Sequence, residues 1–329
     1  MTSKTAIIAH PIGQENVNRL QTTFPNIEFV VCLDEASFAT AAPRAEIVFS
    51  KAVYADAVRK AQNLRWVQTG TAGVERWLDL DLGAQGVRLS NASGVHGIPM
   101  SENIVSMMLA FATRLHTLIY AQRTDGRTNQ PALKRQVLGE KFELEGQTVC
   151  VIGLGDIGGT LAKKCKRLGM RVLGVRRTQT PADYVDQLFP VEARAEAMAQ
   201  ADHVALCLPL TPATHNIVDE AELRAMRANA YIYNVGRGAS IAAAPLMRAL
   251  REGWIAGAGL DVTDPEPLNA DSPLWDMPNV ILSLHTSGDS PQNSDRITQR
   301  FIDNLHRYCA NQSCGDEPLI CEIDFARGY

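Results

Sequence analysis

"TVCVIGLGDIGG", Thr148 to Gly159, decides the fold of this chain, because it joins a strand-like apolar run to a helix-like segment through a glycine-rich turn. Its glycines stand in G-x-G-x-x-G spacing. Glycine permits a tight turn and a close approach of the backbone to a ligand, and the positive end of the following helix dipole faces the same place. In the order strand, turn, helix, this spacing predicts a pyrophosphate-binding turn. The residues expected to bind there are Gly153, Gly155, Asp156, Ile157 and Gly158.

Strand-like runs continue beyond this turn, and helical patterns separate most of them. Short runs rich in β-branched residues that alternate with amphipathic segments are typical of a parallel sheet wrapped by helices. The six runs are QTVCVIG, MRVLGVRR, HVALCLP, AYIYNVG, IAGAGLDV and VILSLH. They predict a doubly wound sheet of Rossmann type, which binds its ligands at the carboxyl ends of the strands.

The first hundred residues repeat this pattern in the runs TAIIAH, IEFVVCL, AEIVFS and LRWVQTG. A second parallel α/β sheet is therefore predicted. We expect a long helix over Ser101–Leu115, with Ser101 and Glu102 favouring its first turn, and a polar, exposed connection over Gln122–Gln136. The domain boundaries are expected near residues 98 and 287.

The composition bounds the function classes. A length of 329 residues, an apolar content of 46% and a net charge of −4 are typical of a soluble globular chain of about two domains. Scattered basic residues argue against nucleic acid and against a membrane surface as partners. The seven cysteines never stand in C-x-x-C spacing, which predicts reduced thiols and no metal site. With no signal-like start and no apolar run of about 18 residues, a cytoplasmic location is expected.

Two arginines end the second strand of the glycine-containing sheet. An acid at this place would bind the ribose 2′-hydroxyl of NAD, but the chain has Arg176, Arg177 and Thr178 there. Guanidinium groups match a 2′-phosphate in charge and geometry, and a hydroxyl adds a donor. These residues predict a preference for NADP(H), with NAD(H) as the second coenzyme. The alternative is that the two arginines are solvated surface charges.

The other strand ends of this sheet carry further polar groups at the edge where ligands bind. The residues there are Leu208 and Pro209, then Val235, Gly236 and Arg237, then Asp261 and Glu266, and finally His285. An arginine, an acid and a histidine on consecutive strand ends predict a catalytic site. Taken singly, Arg237 could be a surface charge, Glu266 part of a plain turn, and His285 a structural hydrogen-bonding residue. That structural role is expected for His10, His203 and His215.

Five segments in succession resemble the D-2-hydroxyacid dehydrogenase family over almost the whole chain. They are IGLGDIG, LPLTPATHNIVDEAEL, YNVGRGA, AGAGLDVTDPEPL and SPLWDMPNVILSLH. The resemblance implies two doubly wound α/β domains, with a Rossmann coenzyme domain (99–287) inserted in a flavodoxin-like substrate domain (1–98 and 288–329). It also implies a homodimer formed largely through the central domain.

The resemblance further implies a role for individual residues. Arg237 would bind substrate, His285 would be the acid/base, Glu266 its partner, and Asp261 would contact the nicotinamide end of the coenzyme. The turn TGTAGV, Thr69–Val74, is similar to the loop that binds the substrate carboxylate through backbone N–H groups. Its expected binding residues are Thr71, Ala72 and Gly73.

The chain departs from many relatives at three places. It has no tryptophan between His116 and Gln147, it reads SIAAAPL over Ser240–Leu246 where acids are common, and Leu284 replaces a proline before the histidine.

The expected activity is NADPH-dependent reduction of a small 2-oxo acid, such as glyoxylate or hydroxypyruvate, to the D-2-hydroxy acid. Two alternatives stay open: a nucleotide-sensing corepressor or scaffold without turnover, and a formate or phosphite dehydrogenase on the same fold. The sequence does not name the oxo acid, because the candidate wall residues Trp77, Val95 and Met100 could equally be core.

Overall fold

The computed structural model describes residues 4–124, 128–314 and 317–326, apart from the side chains of 311–314. The chain divides into two compact units, Met1–His96 with Ser290–Tyr329, and Gly97–Asp289. Each unit is built on its own sheet, and every strand pairing in both sheets is parallel.

The first unit begins with five strands separated by short helices. The strands are β1 (Lys4–Ala9), β2 (Ile27–Val31), β3 (Ile47–Ser50), β4 (Trp66–Thr69) and β5 (Arg88–Ser90). The helices are α1 (Gln14–Thr23), α2 (Glu35–Ala41), α3 (Ala55–Arg59) and α4 (Glu75–Leu78).

The described residues of the second unit form seven strands and seven α-helices. The strands are β6 (Thr148–Ile152), β7 (Arg171–Val175), β8 (Gln187–Phe189), β9 (His203–Leu206), β10 (Tyr231–Asn234), β11 (Gly257–Leu260) and β12 (Val280–Leu282). The helices are α5 (Gly97–Ala112), α6 (Leu115–Arg123), α7 (Gln130–Glu140), α8 (Asp156–Arg167), α9 (Arg194–Ala199), α10 (Glu220–Ala225) and α11 (Ala243–Glu252). The chain then returns to the first unit as α12 (Asn293–Cys314).

The sheet of the first unit has the strand order β2-β1-β3-β4-β5, the flavodoxin-like order. Its central strands are apolar on both faces because helices cover both. On one face, α12 inserts Phe301 between Phe49 and Trp66, with ring centroids 4.4 and 5.3 Å apart. Residues from both ends of the chain therefore share one core.

The sheet of the second unit has the order β12-β11-β10-β9-β6-β7-β8, which is the Rossmann order extended by one strand. Helices α5 and α8 cover one face, where Met107, Phe111 and Leu161 pack on Val151. The opposite face packs on α9, α10 and α11. The predicted fold class, two doubly wound parallel sheets, is confirmed.

Several local predictions were wrong. Strands β5 and β8, three residues each, were not predicted. The long helix begins at Gly97 instead of Ser101, and the Ser101 hydroxyl is buried and donates to the Ile98 carbonyl at 3.0 Å. Part of the predicted connection Gln122–Gln136 is the start of α7, and residues 125–127 of it lie outside the described residues.

No disulfide joins the six cysteines whose side chains the structure describes, and burial raises the pKa values of the Cys150, Cys165 and Cys207 thiols to about 12. Within the described ranges, no single helix is long and apolar enough to cross a membrane; α5 and α6 reach that length and composition only as a pair bent by 72°.

Candidate active site

The glycine turn after β6 is shaped by close backbone contacts. Gly153 has a φ of +92°, and a Cβ atom there would lie 2.7 Å from the Cys207 carbonyl oxygen. A Cβ on Gly158 would lie 1.9 Å from the Gly153 carbonyl oxygen, so the first turn of α8 closes directly on the strand end. A Cβ on Gly155 would have no neighbouring atom within 4 Å. Two glycines thus close the turn, and the third leaves open space in front of the helix.

That open space fits an anion. Gly155 caps α8 without a side-chain hydrogen bond, so the N–H groups of the first helical turn are left for a ligand. A cavity of about 380 Å³ lies beside it, between the start of α8 and the segment 182–185. Asp156 is exposed at the first helical position, and Ile157 is partly buried in the adjoining core. These residues fit the pyrophosphate of a dinucleotide.

The arginines after β7 differ from one another. Arg176 is partly buried, and its Nη2 donates to the Thr180 carbonyl and, at 2.8 Å, to the Thr180 hydroxyl. Its Nε is buried with no hydrogen-bond partner among the described residues. Arg177 and Thr178 are exposed. One guanidinium is therefore fixed with a donor to spare, which suits a phosphate held at this strand end.

Close packing joins the ends of β9 and β10. A Cβ on Gly236 would lie 2.5 Å from the Leu208 carbonyl oxygen, and the Leu208 side chain would meet a Cβ on Gly153 at 2.7 Å. Val235 is buried, whereas Pro209 is exposed. The predicted binding residue Leu208 therefore borders the glycine turn, and the predicted binding residue Gly236 packs on Leu208.

The three predicted catalytic residues follow three neighbouring strands, β10, β11 and β12. The Glu266 carboxylate accepts a hydrogen bond from His285 Nδ1, and both side chains are exposed. Arg237 is partly buried and donates from Nη1 to the Gly236 carbonyl at 2.9 Å. With Nδ1 bound to a carboxylate, the imidazole presents Nε2 as the nitrogen that exchanges a proton with a ligand.

Asp261 is 2% exposed at the end of β11, and its carboxylate faces the turn that carries His285. Oδ1 accepts from the Ser283 hydroxyl at 2.6 Å and from the N–H groups of Thr286 and Ser287 at 3.0 and 3.1 Å. Oδ2 accepts from the Ser287 hydroxyl. Ser283 and Ser287 are not predicted by the sequence, because serine near a strand end carries no chemical signal by itself.

Comparison with known proteins identifies the family. Residues 105–287 match the model of the D-isomer specific 2-hydroxyacid dehydrogenase, NAD binding domain. The chain belongs to the D-isomer specific 2-hydroxyacid dehydrogenase family. Its glycine turn and His285–Glu266 pair therefore lie in a nicotinamide-dinucleotide-binding domain of an oxidoreductase family.

Similar proteins support the assignment along the chain. A glyoxylate reductase from Korarchaeum cryptofilum is 30% identical, covering 76% of this chain and 75% of its own. A family protein from Aeromonas salmonicida is 29% identical with a TM-score of 0.82, covering 98% of this chain and all of its own. A D-isomer specific 2-hydroxyacid dehydrogenase from Xanthobacter autotrophicus, solved with NADPH and MES, is 25% identical with a TM-score of 0.78 and full coverage of both chains.

The family's carboxylate-binding loop is expected at Thr71–Gly73, which lies in the first unit after β4. The Thr71 N–H donates to the Thr69 hydroxyl at 3.2 Å, and the Ala72 carbonyl accepts from Asn91 Nδ2 at 2.7 Å. The backbone N–H groups of Ala72 and Gly73 have no hydrogen-bond partner in the described part of the chain. Of the three predicted residues, these two hold the donors that are left for a ligand.

One departure from the family pattern has a backbone explanation. Leu284 stands where many relatives have proline, and its φ is +53°, followed by +56° at His285. Proline is fixed near −65° and cannot adopt this conformation. The backbone conformation at position 284 therefore excludes proline in this chain.

Proposed function

We propose that this protein reduces a small 2-oxo acid, of the glyoxylate or hydroxypyruvate class, to the D-2-hydroxy acid with NADPH. The observation that carries the proposal is the hydrogen bond between His285 and Glu266 beside the strand end that bears Arg237. A histidine oriented by a carboxylate is suited to proton transfer near neutral pH.

The residues have distinct parts in this reaction. Arg237 binds the substrate carboxylate in a charged fork and polarises the carbonyl group. His285 donates a proton to the carbonyl oxygen as negative charge develops there, and Glu266 holds the ring in place. The N–H groups of Ala72 and Gly73 supply further donors to the carboxylate. When bound, the reduced nicotinamide supplies the hydride.

The coenzyme preference rests on the end of β7. Arg176, Arg177 and Thr178 offer guanidinium and hydroxyl donors, and no acid among these three residues accepts from a ribose 2′-hydroxyl. The buried Nε of Arg176 would gain a partner in a 2′-phosphate. We infer NADPH as the preferred coenzyme and NADH as a poorer one.

Each unit takes one task in this proposal. Residues 99–287 bind the coenzyme and provide the catalytic side chains, including the substrate-binding Arg237, whereas residues 1–98 with 288–329 form the substrate-binding domain. The glyoxylate reductase from Korarchaeum cryptofilum supports a small oxo acid as substrate.

The deciding experiment is a panel of 2-oxo acids, from glyoxylate and hydroxypyruvate to branched and aromatic ones, assayed with NADPH and with NADH. Formate and phosphite are assayed with NADP⁺ and NAD⁺ in the same series. Coenzyme binding without turnover on any substrate would favour the sensor or scaffold, and oxidation of formate or phosphite would favour the second alternative. In Glu266→Gln, kcat should fall, because the carboxylate that orients the His285 ring is lost. An unchanged kcat would make Glu266 structural.

We also propose a homodimer formed through helices α5, α6 and α7. They expose an unusual number of large apolar side chains, which marks an association surface. The exposed residues are Ile98, Leu109, Leu115, Ile119, Tyr120 and Leu138. Sedimentation should give a dimer for the parent and a monomer for the double variant Ile119→Lys, Tyr120→Glu; an unchanged dimer would exclude this surface. The free thiols fit a reducing compartment, so we place the protein in the cytoplasm.

A further inference from the structure

The backbone at His285 has an unusual conformation. Leu284 and His285 are consecutive non-glycine residues with φ values of +53° and +56°. This left-handed region is unfavourable for residues with a Cβ atom, and leucine has no side-chain hydrogen bond to offset it. Such a conformation persists only where the surroundings over-determine it, and it is often found at functional sites.

The surroundings are supplied by Asp261. Its carboxylate binds Ser283 before the two left-handed residues and Thr286 and Ser287 after them. The Asp261 carbonyl also accepts from the His285 N–H at 2.6 Å. One buried residue thus holds the turn on both sides of His285 and at His285 itself. Buried hydrogen bonds to a carboxylate are among the stronger ones in proteins.

The carboxylate of Asp261 is largely used by this turn. Three donors meet Oδ1 and a fourth meets Oδ2, close to the number of acceptor sites that a carboxylate offers. Of the four donors to the Asp261 carboxylate, two are serine hydroxyls and two are backbone N–H groups. Ser287 supplies one of each kind.

We propose that Ser283 and Ser287, through Asp261, are positioning residues for His285: together they hold the left-handed turn that brings Nδ1 to Glu266. The proposal rests on the proposed function, since it assigns these residues to the proton-transfer step. Without the serine hydroxyls, His285 visits other backbone conformations in which Nδ1 does not meet Glu266. The loss should therefore fall on the rate of the chemical step and leave coenzyme binding intact.

The experiment uses the full chain and four variants. Ser283→Ala and Ser287→Ala each remove one hydroxyl from Asp261. Ser283→Thr keeps the hydroxyl and is the conservative rescue, because Ser283 is only partly buried. Ser240→Ala is the matched control, since it removes a buried hydroxyl that has no hydrogen-bond partner among the described residues. Each protein is assayed for single-turnover reduction of glyoxylate and for NADPH affinity by fluorescence.

The single-turnover rate of each alanine variant should fall about tenfold, which is less than the roughly 10²–10⁴-fold that a positioned acid contributes. NADPH affinity should stay within about twofold, and Ser283→Thr and Ser240→Ala should keep nearly the parent rate. Rates within about twofold of the parent in both alanine variants would overturn the proposal. Equal losses in Ser283→Thr and Ser283→Ala, or a loss of NADPH affinity that matches the loss of rate, would overturn it as well.

A second measurement separates this proposal from the proposed function. The ¹⁵N chemical shift of His285 Nδ1 reports its hydrogen bond to Glu266 without any turnover. If the parent reduces no 2-oxo acid, the proposed function fails, and a Nδ1 signal that changes in Ser287→Ala but not in Ser240→Ala still supports the positioning of His285. An unchanged signal in Ser287→Ala would refute it.

Discussion

At the carboxyl edge of the seven-stranded sheet, the segments after β6 and β7 keep hydrogen-bond donors that the chain does not use, whereas the segments after β11 and β12 bind one another. The helix after Gly155 has no side-chain cap, and Arg176 keeps a buried Nε without a partner. At the other end, Asp261 receives donors from both sides of His285, and His285 binds Glu266. One end of the edge is arranged to receive charge, and the other to hold side chains in place.

This difference predicts two kinds of sensitivity. Binding at the receiving end depends on the charge of the ligand and on salt, because exposed charges are screened. The rate at the other end depends on the identity and position of each side chain, because preorganised groups do not reorganise during the reaction. Substitutions at the two ends should therefore separate coenzyme affinity from turnover.

The largest effect is expected for His285→Gln. Glutamine keeps a polar side chain but does not donate a proton as an acid, so kcat should fall by roughly 10²–10⁴. The affinity for NADPH should stay within about twofold, which fluorescence titration checks. A variant that keeps most of its turnover would remove His285 from the reaction.

Arg237→Lys comes next. Lysine keeps the charge but loses the planar two-point grip on a carboxylate, so kcat/KM should fall about 10- to 100-fold. Steady-state kinetics with glyoxylate at saturating NADPH measure the change. If kcat/KM falls by less than about threefold, Arg237 does not bind the substrate carboxylate.

Substitutions at the coenzyme end should change the preference between NADPH and NADH, and not kcat at saturation. The parent should prefer NADPH over NADH at least tenfold in kcat/KM, from charge-assisted contacts of about 1.5–3 kcal/mol each before desolvation. Arg176→Asp should remove most of this preference and leave kcat at saturation nearly unchanged. Added salt should shrink the preference in the parent. Arg171→Asp, at the opposite end of β7, is the control and should leave the preference intact.

Equal kcat/KM values for NADPH and NADH in the parent would show that these arginines do not bind a phosphate. A fall in saturated kcat as large as the fall in affinity would contradict the separation of the two ends.

The last effect concerns stability and lies at the opposite edge of the same sheet. His203, at the start of β9, is fully buried between Tyr233 and Gln147, and burial lowers the pKa of its imidazole from 6.5 to about 4. Below pH 6.5 the unfolded chain binds a proton that the folded chain does not, so this contribution to stability is complete above that pH and is lost as pH falls toward 4.

Denaturant unfolding between pH 7 and 4.5 measures this contribution. The free energy of unfolding should fall with a slope approaching 1.4 kcal/mol per pH unit for this one proton. His203→Gln should be less stable at pH 7 and should lack this part of the slope. An equal slope in both proteins would mean that His203 is not responsible.

The sequence predicted the elements that have strong local signals. The glycine turn was readable because Gly153 and Gly158 need contacts that exclude a Cβ atom. By contrast, β8 was missed because it has three residues and neither a continuous nor an alternating apolar pattern. The start of α5 was misplaced because Ser101 is a good capping residue, while the chain continues the helix back to Gly97, where a Cβ would lie 2.7 Å from the Asp156 carboxylate. That contact is not visible in the local sequence.

In the site, too, the sequence predicted what local patterns determine and missed what depends on contacts between distant residues. The positions of Arg237, Glu266 and His285 follow from strand order, because the carboxyl ends of parallel strands share one edge. The network around Asp261 does not, since it depends on the left-handed backbone at Leu284 and His285. No residue preference predicts that conformation for leucine.

The interlocking of chain ends in the first unit has a consequence for the order of folding during synthesis. The core around Trp66 and Phe49 receives Phe301 from α12, which the ribosome makes after the whole of Gly97–Asp289. At about 5–20 residues per second, that delay is on the order of 10–40 s. During this time the aromatic surface on strands β1 to β5 stays exposed, because α12 has not yet been made. The unit Gly97–Asp289 is continuous in sequence and can fold as soon as it leaves the ribosome. A chaperone that binds nascent chains should therefore contact residues 1–96 for longer than any other part of the protein.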